Sequence, residues 1–161
     1  MSATRPETAA PATATMRATA AWFLAQLTLP RHGVVKSFDH DLRDYLTELI
    51  PHIEQLAADR GDDVPAKVAL ASVEEARRRM RVPEAAGLLG EVERVKLLAR
   101  SVAALCAHYD ALTGVVRCLA CDRAIESGDD SVPYDQGSPS GSAVRSGRVH
   151  ARCVNVGRPR R

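Results

Sequence analysis

The sequence is poor in aromatic residues: one Trp, three Tyr and two Phe, 4% of 161 residues. That excludes a core built on large rings. It also excludes an interleaved series of aromatics on which nucleic-acid bases would stack. Long apolar runs are missing as well. The longest candidate, Ala18 to Leu29, falls short of the roughly 20 residues a bilayer needs, and it lacks the cleavage pattern of a secretory signal. The expectation is a cytoplasmic protein with no membrane partner. Charge of one sign is scarce, and a net of +2 gives no argument of its own for nucleic acid. There is no Gly-rich phosphate loop, no G-x-S-x-G elbow and no H-E-x-x-H pair. No residue is assigned a catalytic role, and the reading leans away from an enzyme.

What the chain does contain is alanine, leucine and valine. Hydrophobic residues make up 45% of it, and small aliphatic side chains favour helices packed closely together. The length suits one compact domain with a small appendage. The expected fold is mainly α: an antiparallel bundle of about four helices followed by a small zinc-bound β-hairpin module.

Met1 to Thr15 is rich in Ala, Thr and Pro without an apolar period, so residues 1–15 are expected to be disordered. A first helix is read over Met16 to Leu29, with Met16, Ala20, Phe23, Leu24 and Leu27 on one face, ended by Pro30 and Gly33. A second runs from Ser37, as N-cap, to Asp59. Its stripe is Phe38, Leu42, Tyr45, Leu46, Leu49, Ile53 and Leu56, and it continues in phase past Pro51, which should kink the helix rather than end it. Asp63 caps a third helix that runs to about Arg81 and buries Val68, Val73, Ala76 and Met80. Pro83 leads into the longest helix, Gly87 to Thr113. There Leu88, Val95, Val102 and Tyr109 lie seven apart, as do Leu98, Leu105 and Leu112, a seam suited to bundle packing. Gly114 is the expected residue just past the helix end. The bundle is therefore assigned to residues 16–114.

Beyond Gly114 the period vanishes. Short apolar pieces alternate with Gly, Ser, Asp and Pro, and Gln136 to Ser146 reads as an exposed loop. The segment 115–155 has too few large apolar residues to make its own core, so something else must hold it. Cys118-Leu-Ala-Cys121 is a C-x₂-C knuckle, and His150-Ala-Arg-Cys153 is an H-x₂-C pair 28 residues further on. Two ligands separated by two residues can grip one ion from adjacent corners of a tetrahedron. Together the pairs make a Cys₃His set, a closed structural zinc site. Thiolate with imidazole suits Zn²⁺ better than hard cations, and four protein ligands leave no position for a catalytic water. Gly128 and Gly147 are read as the turns of a hairpin between the pairs. A redox dithiol at Cys118 and Cys121, or unmetallated thiols, are the alternatives. The redox reading lacks the βαβ setting it would need.

The remaining candidates have ordinary explanations. Cys106 reads as a small buried hydrophobe and His108 as a surface histidine. His32, His40 and His52 have no acidic or cysteine partner at metal spacing. Asp39, Asp41 and Asp44 are read as acids near a helix N-terminus, and Arg77-Arg78-Arg79-Met80-Arg81 as cations near a helix C-terminus. Charge is uneven: residues 38–115 carry fourteen acidic and ten basic side chains, residues 116–161 five and eight. The ending Gly157-Arg158-Pro159-Arg160-Arg161 reads as a basic, disordered tail (156–161).

The stretches MRATAAWFLAQLTLP, LRDYLTELIPHIEQL, DDVPAKVALASVEEARRRM and ARSVAALCAHYDALTG, with CLACDRAIESGDDSVPYD and GRVHARC, resemble a family of actinobacterial (Streptomyces-type) helical proteins labelled as natural-product biosynthesis proteins. The resemblance runs from about Met16 to Cys153. The helical sections are that family's hallmark, and the cysteine-bearing tail looks like an extension carried by some members. The tail also resembles the first half of a LIM-type or treble-clef zinc site. The resemblance implies an association with secondary metabolism and no particular reaction.

The function expected from all this is a non-catalytic accessory or regulatory protein whose zinc module contacts a protein partner. A nucleic-acid-binding regulator using Arg77 to Arg81, the tail module and Arg158 to Arg161 is one alternative. A small biosynthetic enzyme with a site between helices is the other. The sequence defines no oligomeric state.

Overall fold

The apolar stripes become helices as their spacing requires. The structure, a computed structural model, describes residues 9–137 and 144–154. In order it contains α1 (Thr13–Leu24), α2 (His32–Arg60), α3 (Val64–Met80), α4 (Leu88–Thr113), β1 (Ser131–Gly137) and β2 (Val144–His150), then a single 3₁₀ turn, Ala151–Cys153. The protein is thus mainly helical with one small antiparallel sheet, and it divides between Leu112 and Thr113 into two compact units. No helix among the described residues is long and apolar enough to cross a membrane.

In the helical unit one continuous core draws on all four helices. It holds Met16 and Phe23 of α1, Leu42, Leu46 and Ile53 of α2, Val73 of α3, and Leu98 and Leu105 of α4, all fully buried. Phe38 stacks on Trp22 and meets Phe23 at a tilt of 35°, with ring centroids 5.0 Å apart in each pair.

Helix ends depart from expectation in instructive ways. α1 begins at Thr13, inside the stretch read as disordered, and stops at Leu24; Leu27 is fully exposed. α2 begins at His32, so Ser37 is interior to the helix. The reason is Val35, fully buried three residues before Phe38 and seven before Leu42, which extends the apolar stripe by a turn. Gly33 therefore lies in the first turn of α2 and does not end α1. Pro51 sits within α2 without interrupting it.

On α3 the inward stripe is Ala66, Ala69, Val73 and Ala76, whereas Val68 faces solvent. Asp63 is the N-cap residue, but its side chain makes no capping bond. Its carboxylate binds Arg60 instead. Gly114, at φ +75°, ends α4, in the left-handed region that glycine enters without strain.

A polar cluster lies under the connector between α3 and α4. The Arg94 guanidinium, with 4% of its side chain exposed, donates to Glu91 at 2.6 and 2.9 Å and pairs with Asp39 at 2.8 Å. Glu91 also accepts from the Ala85 backbone N–H. Arg43 joins Asp39 to the Met80 carbonyl at the end of α3. Asp39 is therefore not a dipole-favoured residue at a helix start. It lies two turns inside α2 and is held by Arg94 and Arg43. Hydrogen bonds from Arg94 hold the Glu91 carboxyl down at about 2.

Candidate metal centre

The second unit assembles its site from two tight turns and a hairpin. In the first turn Cys118 N–H donates to the Arg123 carbonyl at 2.9 Å, Asp122 N–H to the Cys118 carbonyl at 2.9 Å, and Ile125 N–H to Val116 at 2.8 Å. These bonds fold residues 116–125 back on themselves. Asp122 takes φ +56° to do so, a conformation that Asp tolerates better than most residues. Leu119 N–H then donates to the Arg148 carbonyl at 2.9 Å, tying this turn to β2.

The hairpin brings in the other half. β1 and β2 pair antiparallel, with Ser131 opposite His150 and Tyr134 opposite Gly147. Gly147, expected at a turn, lies in the middle of a strand. A Cβ there would sit 2.9 Å from Leu119 Cδ1, so its glycine makes room for the first turn. Gly128 does lie in a turn. The strands also reach into the stretch read as a loop, taking in Gln136, Gly137 and 144–146; residues 138–143 lie outside the described region. At the end of β2, Ala151 N–H donates to the Asp130 carbonyl at 2.8 Å. The 3₁₀ turn then carries Cys153 back beside His150.

The four residues singled out by spacing converge. One donor atom from each of Cys118, Cys121, His150 and Cys153 lies within 4.8 Å of all the others. His150 Nδ1 is 3.4 Å from Cys121 Sγ and 3.9 Å from Cys153 Sγ. A tetrahedron with Zn–S bonds of about 2.3 Å has edges of about 3.8 Å, so the donor set fits one small ion. Cys118 and His150 are buried, Cys153 is half-buried and Cys121 is exposed. All three cysteines are free thiols, and the cluster is able to hold a metal ion.

Electrostatics point the same way. Burial alone would push the Cys118 thiol up. Backbone N–H groups of His150, Cys121 and Ala120, with the Cys121 thiol, outweigh burial and hold it down at about 6; the His150 N–H lies 3.4 Å from the sulfur. Cys153 is pushed up, first by burial and then by its neighbours Cys121 and Cys118. Cys118 is thus held towards its thiolate while Cys153 beside it is pushed away from one, a conflict that a divalent cation resolves.

One contact was not foreseen from spacing. His150 Nε2, on the far side of the ring from the thiols, lies 3.3 Å from Asp129 Oδ2, and it makes no hydrogen bond among the described residues. The Asp129 carboxylate also accepts from Glu126 N–H at 3.1 Å. That bond comes first among the influences that lower its pKa, ahead of His150 and Arg152. An open cavity of about 400 Å³ adjoins this pair, lined by Gly128, Asp129, Asp130, His150, Ala151 and Arg152.

The other candidates resolve as follows. Cys106 is fully buried in the helical core. His108 is not a surface residue: it is half-buried and lies 2.8 Å from Ser72 Oγ, and burial pushes its pKa down. His40, read as having no acidic or cysteine partner at metal spacing, faces Asp44 one turn on at 3.4 Å, an exposed pair outside the metal-type cluster. His52 meets Tyr109 edge to face. Arg77, Arg78 and Arg79 stand in the last turn of α3 and are paired with Glu54, Glu74 and Glu75. Arg158, Arg160 and Arg161 lie outside the described residues.

No curated protein and no solved structure matches the chain. Residues 14–114 match a family of unknown function (DUF6415), a stretch that covers the four helices up to Gly114 and stops before the first metal-type cysteine. The match covers more than half of the chain and lies in its helical part: the chain belongs to that family of unknown function, DUF6415.

Proposed function

We propose that the C-terminal unit binds one Zn²⁺ through Cys118, Cys121, His150 and Cys153, and that the protein is a non-catalytic accessory or regulatory factor. In this reading the zinc-held module meets a protein partner. The observation that carries it is the convergence of three sulfurs and one imidazole nitrogen within 4.8 Å. Bound zinc would supply a cross-link between the two turns rather than an open coordination position. The backbone N–H groups around Cys118 stabilise its thiolate, and the hairpin register sets His150 against the first turn. An association with natural-product biosynthesis rests on the sequence resemblance alone.

The nucleic-acid alternative draws on Arg77 to Arg81. The acidic partners of Arg77, Arg78 and Arg79 leave less free positive charge for phosphate than the bare run suggests. The enzyme alternative needs a polar-lined pocket between helices, and the fully buried Leu and Val side chains of the bundle weigh against it.

Two measurements on the full chain test the proposal. Protein purified without chelator is expected to carry about one zinc per chain, and Cys121→Ser to lose it. Cross-linking in the native host is then expected to join the wild type, and not Cys121→Ser, to one recurrent protein. Equal cross-linking of both forms, or a metal-free wild type, would contradict the reading.

A further inference from the structure

A histidine ligand has two nitrogens, and a metal takes only one. The other carries a proton and needs an acceptor, because a buried N–H without one is costly. In His150 the division is visible. Nδ1 faces Cys121 and Cys153, while Nε2 is turned away from the thiols in a residue only 2% exposed. Asp129 Oδ2, 3.3 Å away, is the group that faces it. This separation is slightly longer than the roughly 2.7–3.2 Å of a well-formed N–H···O bond, and the two groups are not aligned as a hydrogen bond, so they face each other as a charge pair without yet being bonded.

We infer that Asp129 is a positioning residue for the metal centre: its carboxylate accepts the Nε2 proton of His150, fixes the tautomer and presents Nδ1 to the ion. This assignment rests on the metal reading above. The local backbone supports it. Glu126 N–H donates to the same carboxylate and anchors it from the turn side. The bond from Ala151 N–H to the Asp130 carbonyl fastens the Asp129 loop to the residue after His150. Both ends of the Asp129–His150 contact are thereby held by hydrogen bonds independent of any metal. A carboxylate–histidine pair of this kind aligns the ring and raises the basicity of the ligating nitrogen.

The test uses full-length protein loaded with zinc. Zinc affinity is measured by competition with a chelator of known affinity, and the His150 ring by its ¹⁵N chemical shifts and ring N–H exchange. In the wild type Nδ1 is expected to show a metal-bound shift, and Nε2 a slowly exchanging proton. Asp129→Ala is expected to loosen zinc about 10- to 100-fold and to speed Nε2–H exchange, with Nδ1 still the ligand. Asp129→Asn keeps an acceptor oxygen and the size of the side chain, so it is expected to fall between the two. Asp130→Ala removes the same charge one residue away, from an exposed side chain, and is expected to bind zinc as the wild type does.

Unchanged affinity in Asp129→Ala, ligation through Nε2, or an equal loss in Asp130→Ala would overturn the assignment while leaving the zinc site standing. A wild type that takes up no zinc would overturn the metal reading, and the assignment with it.

Discussion

In the helical unit the interior is filled by side chains from four helices, among them Phe23, Leu42, Leu49, Ile53, Leu98 and Leu105, all fully buried. In the C-terminal unit three residues are buried among those described: Cys118, Val149 and His150. Two of these three belong to the metal-type cluster. The helices thus need no ion, because apolar burial at about 25 cal/mol per Å² accumulates over many residues. The hairpin has one buried aliphatic side chain, and a two-stranded sheet alone is marginal in water. The contrast teaches where each part of the protein gets its order, and each of the following changes should affect one unit and spare the other.

The largest expected effect is at the cluster. Structural zinc contributes on the order of 10 kcal/mol to the folding of small modules, so Cys121→Ser should unfold the turn at residues 116–125 and the strands β1 and β2. The thermal unfolding of the helices should stay where it was, as calorimetry of the two forms would reveal. If the helices melted with the hairpin, the two units would not be held independently.

Next comes the reverse experiment. Arg94→Ala leaves Glu91 buried without its main cation and Asp39, which is half-buried, with Arg43 alone. Breaking such a buried pair costs about 3–5 kcal/mol, which denaturant unfolding of the helices would register while zinc affinity stays unchanged. Acid probes the same cluster. Glu91 is held at about 2 in the folded protein against an ordinary 4.5. A carboxyl lowered on folding stabilises the protein above its ordinary value, and that contribution disappears as pH falls from about 4.5 towards 2. Allowing for solvent screening, the loss is on the order of 2 kcal/mol, and it should be missing in Glu91→Gln when unfolding is followed against pH.

The smallest effect sharpens the picture of the hairpin. Gly147→Ala puts a methyl 2.9 Å from Leu119 Cδ1. Leu119 can shift, so a cost of about 1 kcal/mol is expected, read as faster zinc release to a chelator and unchanged helix stability.

Much of this was legible in the sequence because period and spacing are local properties. The stripe from Phe38 to Leu56 and the seam from Leu88 to Leu112 name the faces of α2 and α4, and all of their members join the core or pack against it. The C-x₂-C and H-x₂-C spacings named the four residues that converge. What escaped depends on partners far apart in the chain. Ser37 resembles a cap, yet the burial of Val35 moves the start of α2 to His32. Asp39 looked like an acid at a helix start, and only the fold reveals Arg94 beside it. Gly147 read as a turn because its neighbour Leu119 is 28 positions away. Asp129 carries no metal-type spacing, and its contact with His150 Nε2 depends on the register of β1 against β2. The match to DUF6415 ends at residue 114, before the first cysteine of the cluster.

Hydrogen exchange of the full chain, before and after zinc is removed by a strong chelator, tests the central contrast most directly. The account predicts that amides of β1 and β2, and of the turn at residues 116–125, lose their protection on chelation and regain it when zinc is restored, while core amides of α2 and α4 exchange at the same rate throughout. Protection in the hairpin that survives complete removal of the metal would contradict it.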